Sequence, residues 1–258
     1  MITKNKKSNI PVVILAGGRG SRLEEETKVI PKPLVKIGSK PILYHIMKIY
    51  SHYGYKNFYI CTGYKNDLIE KYFKQIKSSK IINSTSKEKK FYIKKYNWHV
   101  SCIFSGKNTL TGERLLKLKN YINLYKNFFL TYGDGVAKLN IKKLLNSHIK
   151  NNKIATVTAV NPPGRYGILK INNKNNVKKF LEKVDNSDVW INGGFFCFKN
   201  KIFKYLKKDS SLEFDIMKKI TNLNQLNAFK SKSFWKAMDT LRDKIELNKI
   251  YKKNKPWD

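Results

Sequence analysis

Arginine, acid, cysteine and alanine are all scarce in this chain, and long apolar runs are missing. Of 258 residues, 18 are Asp or Glu against 53 Lys or Arg, a formal net charge of +35. No apolar stretch reaches the ~18 residues that a membrane-spanning helix needs, so no membrane partner is expected. The three cysteines, Cys61, Cys102 and Cys197, lie far apart. That spacing excludes a disulfide framework and a close-set zinc site, and it fits a reducing, cytoplasmic home. Residues 1–9 are basic and polar without the apolar segment of a secretory signal, and read as a polar leader. No Gly/Ser/Pro linker and no solenoid-period repeat divides the rest. Residues 10–258 are therefore read as a single domain with two lobes, 10–135 and 136–258.

The scarcity of arginine qualifies the charge. A strongly basic chain suggests a nucleic acid or another polyanion as partner. Here 48 of the basic residues are Lys and 5 are Arg, beside 27 Asn, 27 Ile and 6 Ala. Lys, Asn and Ile are what A/T-rich codons encode, and the lysines run along the whole chain. Readers of nucleic acid favour Arg where bidentate contacts matter. No nucleic-acid partner is expected, and the five positions that kept Arg (19, 22, 114, 165 and 242) become informative.

What is present is a strand–helix alternation. The β-branched run at 10–16 (IPVVILA) reads as a buried strand ending in a glycine-rich turn, 17–20. Helices are predicted at 41–54, 67–76 and 114–122, and strands at 57–64, 98–104 and 128–135, with a Lys-rich excursion or hairpin at 78–97. The second half is more mixed: strands at 154–160 and 190–198, two short strands within 166–183, a helix near 201–208, and a closing helix at about 240–251. This pattern predicts an α/β fold with a Rossmann-like, mostly parallel central sheet flanked by helices.

In such sheets ligands gather at the carboxyl ends of the strands. LAGGRGSRL (15–23) follows the first strand; consecutive glycines let backbone N–H groups approach phosphates, although a tight turn alone would also ask for glycine. It has neither P-loop nor dinucleotide spacing. Lys32 is framed by Pro31 and Pro33, which restrict the backbone and can aim a cation; a surface lysine is the plain alternative. Asp134, between glycines at a strand end, suits Mg²⁺ as well as it suits a hairpin turn. Asp239 is either a second carboxylate ligand or a helix cap. No Ser/His/Asp or Cys/His arrangement argues for covalent catalysis, and the four histidines read as packing or surface residues rather than metal ligands.

Together, LAGGxGxRL, PKP and YGDG resemble the sugar-phosphate nucleotidyltransferases. TGERL (111–115), TYGDGV (131–136), ATVTAVNPPGRYG (155–167), INGGFF (191–196), FW (234–235) and MDTLRDK (238–244) extend the resemblance over nearly the whole chain, and several of these strings look like the cytidylyltransferase branch. The resemblance implies a nucleotidyltransferase fold with a mixed sugar-binding lobe. It implies transfer of a cytidylyl group from CTP to α-D-glucose 1-phosphate, with Mg²⁺ as cofactor. Leu15, Ala16, Gly17, Gly18, Gly20 and Ser21 would wrap the nucleotide, Arg22 would hold the triphosphate, and Lys32 would stabilise charge at the α-phosphate. Thr109, Gly112 and Arg114 would line the nucleotide, and Asp134 and Asp239 would ligate Mg²⁺. Gly167, Asn192 and Gly193 would line the sugar pocket, Glu182 would bond glucose hydroxyls, and Lys183 would bond the sugar phosphate. It also implies a homo-oligomer, often a hexamer. Val184, Ile30 and Glu113 depart from the family's common Pro, Lys and Gly. Another nucleotide or sugar 1-phosphate stays open as a substrate, and a polyanion-binding protein stays open as the reading from a different class.

Overall fold

The run VVIL at Val12–Leu15 is buried on both sides, as its unbroken apolar character demands. Val12 and Ile14 join one hydrophobic cluster and Val13 and Leu15 the other, so this strand, β1, is the divide between two cores. The computed structural model describes residues 10–161, 168–173, 175–181 and 189–258. The other sheet strands are β2 (Asn57–Thr62), β3 (Ser79–Ser84), β4 (Glu88–Ile93), β5 (Trp98–Phe104), β6 (Asn127–Tyr132), β7 (Ala155–Val160), β8 (Ile191–Lys199) and β9 (Leu226–Ser231). They form one nine-stranded sheet in the order β9-β7-β8-β6-β1-β2-β5-β4-β3. Among the described strands only β4 and β8 run against the rest, so the sheet is mostly parallel.

Five longer helices cover this sheet: α1 (Ile42–His52), α2 (Asn66–Gln75), α3 (Thr111–Lys117), α4 (Ile141–Asn151) and α5 (Leu241–Lys253). Residues of α1, α2, α4 and α5 pack into the first cluster, and α3 packs into the second. No helix among the described residues is long and apolar enough to cross a membrane. The Lys-rich stretch is a true hairpin: β3 and β4 pair antiparallel and extend the sheet. Two expectations need correction. The helix expected near 201–208 is a single 3₁₀ turn, Asn200–Lys204. The helix expected at 114–122 begins earlier, at Thr111, and breaks between Lys117 and Lys119. Helix α4 lies outside the elements predicted above; Asn140 caps it by accepting from the Lys143 N–H at 2.9 Å.

The cysteines are free and buried. Burial pushes the Cys61 thiol up to about 12, which keeps it an inert packing residue. His148 of α4 is also fully buried, with Nδ1 2.9 Å from the Thr156 hydroxyl and Nε2 without a partner. Burial, reinforced by Lys199, lowers its pKa from 6.5 to about 4. The folded state thus keeps the ring neutral where the unfolded chain would take a proton. Its stabilising contribution is complete above pH ~6.5 and drains away as pH falls towards 4, to a total of about 3 kcal/mol. Urea midpoints taken at pH 7, 6, 5 and 4.5 should fall across that window, and H148Q should flatten the slope.

Candidate active site

Three parallel strands end side by side, and their following loops build one wall. β1 runs into the glycine loop, β2 into Gly63, and β5 into Ser105–Leu110. Arg114, only 4 % exposed, ties them together. Its guanidinium donates to the Gly17, Gly106 and Lys107 carbonyls at 3.0, 2.8 and 3.3 Å. It also reaches the Ser105 hydroxyl at 2.7 Å and the Thr62 carbonyl at 3.4 Å. A Cβ on Gly17 would sit 2.1 Å from Arg114 Nη1, and one on Gly63 would sit 2.5 Å from it. These two glycines therefore make room for the guanidinium. Arg114, expected among the nucleotide ligands, lines the cleft, but its guanidinium bonds the loops, so it holds the glycine loop from behind.

The opposite wall holds the charge. β6 ends at Tyr132 and turns through Gly133 to Asp134. Gly135–Ala137 then pairs antiparallel with Trp235–Ala237, and the Met238 N–H donates to the Asp134 carbonyl at 2.8 Å. This small ribbon brings Asp239 beside Asp134 from about a hundred residues away in sequence. Thr240 and Asp243 form the capping box of α5, so the Asp239 carboxylate is not spent as a cap. Lys32, in the 3₁₀ turn Lys32–Leu34 between its prolines, places Nζ 2.8 Å from Asp134 and 2.8 Å from Asp239. Burial would lower the Lys32 pKa, but the two carboxylates outweigh it and hold it above 10.5. Arg22, whose side chain is 72 % exposed, meets Asp239 at 3.2 Å. Gly20 has φ +68°, and a Cβ there would press on Lys32 Cβ at 3.1 Å, so glycine is required both by the turn and by the buried lysine beneath it.

Between these walls lies a cleft of ≈ 780 Å³. Leu15, Ala16, Gly17, Gly18, Gly20, Ser21, Arg22, Lys32, Thr109, Arg114, Asp134, Asn192, Gly193 and Asp239 all line it. Asn192 and Gly193 reach it because β8 is reversed, so its first residues stand at the edge where the parallel strands end. The Gly193 carbonyl accepts from the Trp235 indole at 2.7 Å. Gly112 is not brought to the cleft. A Cβ there would meet the Ser210 carbonyl at 2.7 Å, so its role is close packing of α3 on the 210–212 segment. Glu113 also faces that segment, pairing with Lys117 at 3.0 Å and accepting from the Asp209 N–H at 3.1 Å. Gly167, Glu182 and Lys183 lie outside the described residues.

The sequence reading assigned no site role to Thr111, Tyr132, Ser211, Glu213, Phe214 or Trp235, all of which line the cleft. Glu213 had one available signal: with 18 acidic residues in the chain, each acid set in an apolar context is as informative as each arginine. Chemically, the cleft offers backbone N–H groups, two clustered cations and two clustered carboxylates at one end. Such a set suits phosphate groups and a hard cation held by oxygen.

The nucleotidyl transferase family profile matches residues 11–254. The glucose-1-phosphate cytidylyltransferase of Salmonella typhimurium is 41 % identical over 251 residues, covering 95 % of this chain and 97 % of that protein. The probable glucose-1-phosphate cytidylyltransferase of Bacillus subtilis is 38 % identical over 93 % of this chain and 95 % of its own length. Among solved structures, HddC from Yersinia pseudotuberculosis superposes with a TM-score of 0.69 at 26 % identity, covering 94 % of this chain and 99 % of that one.

Proposed function

The chain belongs to the nucleotidyl transferase family, and from that premise we propose that it transfers a cytidylyl group from CTP to α-D-glucose 1-phosphate, giving CDP-glucose and pyrophosphate. A phosphate oxygen of the sugar attacks the α-phosphorus in line. A lone pair of that oxygen becomes the new P–O bond as the bond to the pyrophosphate oxygen breaks, and the pair of the broken bond leaves with pyrophosphate. The chemistry requires that two anions be aligned and their charge offset, so positioning and electrostatics are the main requirement.

The observation that carries this reading is the Lys32 ammonium, buried at the foot of the glycine loop and 2.8 Å from each of two carboxylates. A lysine so fixed can offset charge on the α-phosphate as it develops. Gly18 has open space on its side-chain face and lets the triphosphate approach the backbone. Arg22, largely exposed, can swing from Asp239 to the triphosphate. Asp134 and Asp239 fit Mg²⁺, since two carboxylates leave the remaining positions to phosphate oxygens and water. When bound, the ion would neutralise phosphate charge. Asn192 and Gly193 serve the sugar end in this reading, joined by Gly167, Glu182 and Lys183.

Purified protein incubated with Mg²⁺, glucose 1-phosphate and, separately, CTP, UTP, dTTP, ATP and GTP tests the assignment by pyrophosphate release. CTP should exceed the others by at least about tenfold, on the order of 1.4 kcal/mol in the transition state. Equal release from all five sinks the cytidylyl assignment, and steeply salt-dependent duplex binding without turnover favours the polyanion reading. The same proposal carries a homo-oligomer, up to a hexamer, whose mass light scattering would report.

A further inference from the structure

Beyond the charged end, the cleft has a second carboxylate environment of a different kind. Glu213, from the turn of helix at Leu212–Met217, stands on the wall shared with α3. Its carboxylate accepts from three hydroxyls: Thr111 at 2.6 Å, Ser211 at 2.8 Å, and Tyr132 in a short bond. No cation pairs with it among the described ion pairs. The Tyr132 phenol is also held by the Asn192 side chain, while burial and then the Glu213 charge push its pKa upward. All three hydroxyl protons are thus committed to Glu213. Thr111 and Ser211 in turn accept from the Leu212 and Phe214 N–H groups at 2.9 and 3.3 Å, so the acceptor this wall keeps for a ligand is the Glu213 carboxylate itself.

Such a wall selects among ligands. It repels phosphate, which has its own place at Lys32 and Arg22 on the other side of the sheet edge. It welcomes a neutral N–H donor and is unfavourable to a second acceptor brought against it, because two facing acceptors leave both unpaired after losing water. The 4-position of a pyrimidine is where this difference is largest: an amino group donates there, and an oxo group only accepts. Ribose and glucose hydroxyls both donate and accept, so the same wall would discriminate among them weakly.

We propose that Glu213, oriented by Thr111, Ser211 and Tyr132, is a specificity-determining residue that accepts a hydrogen bond from the 4-amino group of the pyrimidine and excludes 4-oxo pyrimidine nucleotides. The inference rests on CTP being the nucleotide substrate. A carboxylate does this better than an amide, since Glu213→Gln can turn an NH₂ towards the base and serve an oxo group as well.

The test is a cycle of two proteins and three nucleotides. Wild type and Glu213→Gln are titrated with CTP, UTP and the 4-unsubstituted pyrimidin-2-one ribonucleoside triphosphate. Calorimetry gives Kd, and pyrophosphate release gives kcat/KM. Wild type should rank CTP first, the 4-unsubstituted nucleotide second and UTP last. Glu213→Gln should cut the CTP-to-UTP ratio by about tenfold or more, chiefly by improving UTP, with the KM for glucose 1-phosphate unchanged. An unaltered CTP-to-UTP ratio in a folded Glu213→Gln protein overturns the proposal. So does a raised KM for glucose 1-phosphate with that ratio intact, which would give the carboxylate to the hexose. Should the variant not fold, wild type still decides: equal affinity for CTP and the 4-unsubstituted nucleotide would mean that no donor is read. If wild type itself uses CTP and UTP equally, it is the cytidylyl assignment that fails, before the variant is considered.

Discussion

Asp134→Asn should lower kcat about 10³-fold while lowering the thermal midpoint by no more than roughly 2–8 °C. The side chains are isosteric, so packing at the end of β6 is preserved. Lys32 keeps Asp239 at 2.8 Å and remains paired. The folded state loses one of two contacts to the buried lysine, made by a carboxylate that is itself partly reached by water, a cost of about 1–2 kcal/mol at most. The reacting state loses far more. An amide is a poor ligand for a hard divalent cation, and the charge balance around Lys32 shifts by a full unit where phosphate charge must be offset. Turnover with saturating substrates, measured beside a melting curve, separates the two effects. Wild-type turnover in the variant would refute the metal role of Asp134.

Arg114→Ala should do the reverse, acting first on stability. The guanidinium is buried and has five oxygen acceptors from three loops. Removing it strands those acceptors and leaves a cavity beside Gly17 and Gly63, at a cost of about 3–5 kcal/mol. For a chain of this length that corresponds to a fall of roughly 6–20 °C in Tm. Lysine does not rescue, because a single ammonium cannot span a fork of carbonyls. Nucleotide affinity should fall as well, since the Gly17 carbonyl is released and the phosphate loop is no longer seated. An unchanged Tm with nucleotide affinity lost would instead put the guanidinium on the phosphates.

These two expectations mark where sequence reading succeeds and where it stops. β5 was legible to the residue because WHVSCIF carries its own apolar and β-branched pattern between polar flanks. Helix α1 was legible from its apolar spacing and the Gly54 stop. Helix α4 was not, although Ile141, Leu144, Leu145 and His148 form one buried stripe. The chain places Lys and Asn so freely that polar residues stop marking loops. Among the site residues, the glycine loop, Lys32 and Asp134 announced themselves by local framing with glycine or proline. Glu213 had no such frame: beyond the neighbouring Ser211, its hydroxyl partners lie 102 and 81 residues away, at Thr111 and Tyr132, and only the fold brings those to it. Arg114 shows the limit in another way. The rarity of arginine singled the position out, but rarity does not say whether a guanidinium serves phosphates or carbonyls.

The Lys32 cluster also bears on how the substrates arrive. Two cations, Lys32 and Arg22, stand against two carboxylates, Asp134 and Asp239, so this cluster is close to neutral at short range. It does not draw anions in by its own charge. The attraction felt by a distant triphosphate or sugar phosphate comes from the lysines spread over the rest of the molecule, whose field extends about a Debye length, roughly 8 Å at physiological salt. In the proposed reaction, encounter and chemistry thereby rest on different residues: a diffuse coat sets how often anions reach the cleft, and a locally balanced quartet sets what happens to them there.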